Sequence, residues 1–89
     1  MTEKNKSKKS DKGLIRGLRI EAVRTKNGYS LLACPILGVE DFSETEIKLK
    51  SHGSKITIRG KRLVLSILES GAVEILGKVE EIIFGYGKN

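Results

Sequence analysis

Few side chains in this sequence have chemistry to offer. His52 sits in Ser51-His52-Gly53-Ser54, which reads as a loop tip, and a general base needs a positioned partner that no nearby residue supplies. Cys34, the single cysteine, has apolar neighbours and no histidine close by. It reads as a small buried hydrophobe in a reducing compartment rather than a nucleophile. One cysteine closes no intrachain disulfide, and one cysteine with one histidine builds no structural zinc site. Glu40, Asp41, Glu44 and Glu46 cluster around a turn, without the spaced oxygen ligands and central glycine of a calcium loop. The glycines do not lie between a strand and a helix, as a phosphate-cradling loop requires. The expectation is a non-enzymatic protein with no catalytic residues, no cofactor and no metal.

What remains is charge. The 89 residues carry a net charge of +6, and its placement is uneven. Nine basic residues precede Asn27 against three acidic ones, whereas from Asn27 onward eight of each sign balance. Residues 1–13 are lysine-rich with no apolar anchor after Met1, so they cannot bury enough surface to offset their ordering entropy. They are expected to form a disordered basic tail, with a weak electrostatic arm for anionic lipid or nucleic acid as the functional alternative. No stretch approaches the roughly 20 apolar residues of a membrane span. The first apolar run is late, short and broken by arginines, so no secretory signal is read and a cytoplasmic, soluble chain is expected.

The elements that must position these charges read as strands. Ile56-Thr57-Ile58-Arg59-Gly60-Lys61 returns seventeen positions later as Val73-Glu74-Ile75-Leu76-Gly77-Lys78. Each copy alternates apolar with mostly polar residues and then meets a glycine, the pattern of a half-buried strand stopped or bent. Residues 14–25 fit either a basic amphipathic helix or a strand. Asn27-Gly28, a type I′ turn signal, favours a strand from about Leu18 hairpinned onto 29–34. Pro35 makes that second strand an edge or ends it. A short strand over 39–42 and a polar turn at 43–45 follow.

The next hairpin can be placed in register. With His52-Gly53 as its loop, Leu49 faces Ile56, Ile47 faces Ile58, Lys50 faces Lys55, Lys48 faces Thr57 and Glu46 faces Arg59. All apolar pairs share one face, and a one-residue slip would destroy the arrangement. Gly60 ends the strand and Lys61-Arg62 turn into 63–68, where both faces are apolar, so a central strand covered on both sides is expected. A loop at 69–71 leads to 72–76, a bend at Gly77, and a last strand over 79–84, with the end of the chain fraying from Gly85. The fold class is all-β: a single domain over 14–86, a small antiparallel meander of hairpins forming a compact sheet, sandwich or open barrel. Its core must be aliphatic, since aromatic residues are 4% of the chain. A domain this small is marginal alone, which favours self-association or a partner. The candidate partner-binding residues are Lys48, Lys50, Lys55 and Arg59 on the outer face of the hairpin, together with Arg16 and Arg19.

Residues 42–84 carry a spaced set of motifs: Phe42-Ser43-Glu44, Ile47-Lys48-Leu49, Gly53 and Ile56-Thr57-Ile58-Arg59-Gly60-Lys61-Arg62-Leu63-Val64-Leu65. The set continues through Ile67-Leu68-Glu69, Val73-Glu74-Ile75-Leu76-Gly77-Lys78-Val79 and Ile82-Ile83-Phe84. In this order and spacing these residues resemble the YabP/YqfC family of sporulation proteins from endospore-forming Firmicutes, and are closer to the YqfC type. Pro35 and the lysine-rich tail depart from the family pattern. The resemblance implies a non-enzymatic protein of the sporulating cell, working through protein–protein contacts with a membrane-protein companion. The marginal core and basic N-terminus, read from the residues themselves, suit a peripheral place at a membrane surface. The alternative is a nucleic-acid-binding small β-domain, which the scattered Tyr29, Phe42, Phe84 and Tyr86 do not favour.

Overall fold

A computed structural model describes residues 17–69 and 71–86. The expected tail over 1–13 and Arg16 lie outside them. The described chain is all-β, with strands β1 (Arg19–Thr25), β2 (Gly28–Cys34), β3 (Gly38–Phe42), β4 (Glu46–Ser51), β5 (Ser54–Glu69) and β6 (Ala72–Tyr86). They form one open antiparallel sheet in the order β1-β2-β6-β5-β4-β3. Strands β3 to β6 are a meander, and the β1–β2 hairpin returns to pair with β6.

The β4–β5 register is the one its alternation predicts: Ser51 pairs with Ser54, Leu49 with Ile56, Ile47 with Ile58 and Glu46 with Arg59. His52 is exposed at the loop tip. Ile47, Leu49, Ile56 and Ile58 are fully buried, which places the inward face of this hairpin at the centre of the core.

The glycines bend strands rather than ending them. The pairing of β5 with β6 shifts between Arg59 and Gly60 and again between Lys61 and Val64, yet both strands continue. Each long strand therefore serves two halves of the sheet. In one half β1 and β2 pair onto 72–77 of β6, which in turn pairs with 64–69 of β5. In the other, β3 and β4 pair onto 54–59 of β5, which pairs with 81–86 of β6. Leu31, Ala33, Val73 and Ile75 from the first half and Ile47, Leu49, Ile56 and Ile58 from the second form one buried aliphatic cluster with Ile36 and Leu63.

Four expectations are corrected. Gly60 does not end its strand, since β5 runs through it to Glu69, and the chain does not fray from Gly85, since Gly85 and Tyr86 pair with Lys55 and Ser54. Residues 63–68 are not a central strand covered on both sides: among the described residues, 64–69 of β5 pair only with β6, and Val64, Ile67 and Leu68 are exposed. A run apolar on both faces signals burial only when a second layer exists, and here one face meets solvent. The first turn also differs. Thr25 pairs with Gly28, so Lys26-Asn27 is the two-residue loop and Gly28 belongs to the strand. Gly28 is needed for close approach instead, since a Cβ there would overlap the carbonyl oxygen of Gly77.

The link between the halves, 35–37, is tied at three points. Ile36 N–H donates to the Gly71 carbonyl at 2.7 Å and Leu37 N–H to that of Lys50 at 2.7 Å. The buried Ser51 hydroxyl donates to the Pro35 carbonyl at 2.9 Å, so its burial leaves no polar atom unmatched. β2 ends at Cys34, just before a cis Cys34–Pro35 bond, and Cys34 is half-buried rather than fully buried.

Candidate anion-binding groove

The sheet splits where β2 stops pairing with β6, at Tyr29 opposite Gly77. Here three backbones approach closely. Gly28 lies against the Gly77 carbonyl, Gly60 against the Lys78 carbonyl, and a Cβ on Gly77 would stand 2.7 Å from the Arg62 carbonyl oxygen. The bend in β5 is held from β4's side, with Gly60 N–H donating to Thr45 at 3.0 Å and Leu63 N–H to Glu44 at 2.8 Å.

The residues at this crossing surround an open groove of about 930 Å³. Its walls carry Arg24 from the end of β1, Lys26 from the β1–β2 turn, Lys61 and Arg62 from the bend in β5, and Lys78 from the bend in β6. Tyr29 contributes an aromatic ring and Val79 an apolar patch. Glu80 is the one acid in the lining, 3.9 Å from Lys61. Arg24, Lys26, Arg62 and Lys78 have no ion pair among the described residues. Arg62 adopts φ 55, the left-handed region that disfavours any residue with a Cβ. Lys61 and Lys78, the ends of the sequence echo, face each other across β5 and β6.

The outer hairpin face is different in character. Lys48, Lys50, Lys55 and Arg59 are all exposed there, but the fold brings an equal number of acids to them. Arg59 Nε donates to Glu46 at 2.9 Å, and its guanidinium lies 3.7 Å from Glu81. The hydrogen bond and charge of Glu46, then Glu81, raise the Arg59 pKa above its ordinary value, with desolvation opposing them. Lys55 lies 3.6 Å from Glu40, and Lys48 pairs across strands with Asp41. Arg19 is exposed on β1, opposite Cys34. On the expected basic face two of the four cations, Lys55 and Arg59, are thus ion-paired, whereas four of the five groove cations have no ion pair among the described residues. The sequence signal for it was the echo itself, because Gly60-Lys61 and Gly77-Lys78 put a lysine directly after each bend.

The YabP family model matches residues 19–89, a span that includes all six strands. The chain belongs to the YabP family. The match extends the likeness upstream of 42–84 to the β1–β2 hairpin, so the groove is built wholly from YabP-family sequence. Comparisons with curated proteins and with solved structures return no match.

Proposed function

We propose that this YabP-family chain is a non-enzymatic protein of the sporulating cell, acting in endospore development by docking on a membrane-protein companion from the cytoplasmic side. Family membership supports the sporulation setting, and the spacing of the motifs over 42–84 supports the YqfC type within it. The observation that carries the docking mode is the edge of β5. Among the described residues, 64–69 have a neighbour on one side only, and Ile67 and Leu68 are exposed beside that open edge. Such an edge offers unpaired backbone groups to an extended segment of another chain, and the apolar side chains beside it supply contact area. The companion would add an extended apolar segment there.

The test is the heat-resistant spore titre of a deletion strain complemented with the wild-type chain or with Ile67→Lys, which puts a charge beside the open edge. The titre should collapse on deletion, return with the wild type and stay low with the variant, while the purified variant keeps its thermal midpoint. An unchanged titre on deletion would remove the sporulation role. Full rescue by Ile67→Lys would remove the β5 edge as the docking site.

A further inference from the structure

We propose that the basic groove and the apolar row beside it form a docking surface for an anionic phospholipid bilayer, with the cations taking headgroup phosphates. This stands apart from the companion-docking reading, because vesicles contain no protein.

The first argument is the distribution of charge. Over 17–86 there are ten basic and nine acidic residues, and the groove holds five of the basic and one of the acidic. The remaining described surface therefore carries more acids than bases. A molecule so polarised turns its groove toward an anionic surface.

A second argument is that the groove costs the fold stability. Like charges directly opposite each other on paired strands repel, as Lys61 and Lys78 do. A left-handed arginine is strained as well, and such strain persists where the surrounding structure imposes it, often at ligand-binding sites. An anion seated between Lys61, Arg62 and Lys78 would offset the repulsion and use the arginine where its strained backbone puts it.

The third argument selects the bilayer. Val23, Ser30, Leu76 and Val64 stand in one row across β1, β2, β6 and β5, and Lys78, two residues beyond Leu76, shares its face together with the paired Lys61. Their sequence neighbours Leu31 and Ile75 are buried, so the row faces outward, and Val23 and Val64 are 62% and 52% exposed. Ser30 is the polar member, and its hydroxyl donates to Glu74 at 3.2 Å. Aliphatic side chains beside headgroup-binding cations suit the water–acyl boundary of a membrane. A single-stranded nucleic acid would call for stacking aromatics, and Tyr29 is the one ring in the groove.

The experiment uses the full chain, so that the N-terminal lysines are constant. Vesicle flotation compares phosphatidylcholine alone with phosphatidylcholine mixed with phosphatidylglycerol. The triple variant Arg24→Gln/Lys26→Gln/Lys78→Gln is set against Lys48→Gln/Lys50→Gln/Lys55→Gln, which removes the same charge from the other face. Binding should require phosphatidylglycerol. It should weaken roughly fivefold per groove cation removed, or about a hundredfold for the groove triple, and much less for the control triple. Val23→Ser/Val64→Ser should weaken binding further at raised salt. Thermal unfolding checks that each variant folds. Should the triple not fold, Arg24→Gln and Lys78→Gln singly carry the test at roughly fivefold each. Equal losses from the two triples, or no dependence on phosphatidylglycerol, would overturn the proposal. Tighter binding to a single-stranded oligonucleotide, lost with the groove triple, would overturn it in favour of nucleic acid.

Discussion

Ile67 and Phe84 stand seventeen residues apart, the spacing of the sequence echo, and occupy equivalent places in the two halves of the sheet. Ile67 pairs with buried Val73 and Phe84 with buried Ile56, so both belong to the inward face. Yet they are 71% and 61% exposed, because each lies on a half-strand with no further neighbour among the described residues. The echo therefore runs past its glycines to the two open edges.

Truncating these edge residues should cost little. Ile67→Ala and Phe84→Ala are expected to destabilise by about 1 kcal/mol or less, since little of either side chain leaves water on folding. Ile58→Ala, at a fully buried position, should cost about 2–5 kcal/mol. Urea unfolding of the three variants checks the ranking, and a large loss at Ile67 would show that its edge is covered.

The backbone crossing should tolerate no side chain. Gly28→Ala and Gly77→Ala each place a methyl group against the carbonyl of a neighbouring strand, at φ values of 152 and 142. Each should cost about 3 kcal/mol or more, whereas Gly53→Ala, with open space around it and only its φ of 71 to strain, should cost about 1–2 kcal/mol. Thermal midpoints of the three variants measure the difference.

Arg62 should give the opposite sign. Asn tolerates the left-handed region better than Arg, so Arg62→Asn should stabilise the fold by up to about 1 kcal/mol. It should also lower affinity for anionic vesicles. A gain in stability together with a loss in binding, read by denaturant titration and flotation, is the expected pair of results.

Ser51→Ala removes the hydroxyl that satisfies the Pro35 carbonyl inside the link between the halves. The loss should be about 1–3 kcal/mol, the cost of leaving a buried acceptor unmatched. Chemical denaturation would detect it, and an unchanged midpoint would mean that water reaches the site.

Much of this architecture is legible in the sequence alone. The β4–β5 register followed from alternation and a two-residue loop, because only one pairing puts Ile47, Leu49, Ile56 and Ile58 on a common face. Pro35 left β2 either an edge strand or ended there, and the strand ends at Cys34. Gly77 reads as a bend and is one, but Gly60 reads as a stop and β5 runs on through it: a glycine allows either, and the choice rests on close approaches between strands distant in sequence. The groove was not legible for the same reason. Its cations come from 24–26, 61–62 and 78, three short stretches that each read as a turn or bend. The hairpin cations did read as a patch, but Glu40, Asp41 and Glu81, supplied by β3 and β6, neutralise it once the chain is folded.

The passage of β5 and β6 through both halves has a consequence for how the molecule comes apart. Each half takes two of its four strands from β5 and β6, which run on into the other half, and the two halves share one buried core. Opening one half strips core contacts from the other and frees the strands that run between them, so the sheet is expected to open as a single cooperative unit. A protease that cuts within 60–63 divides the strands of both halves between its two products and would therefore release two pieces that both unravel, where a sandwich of independent hairpins would leave one standing.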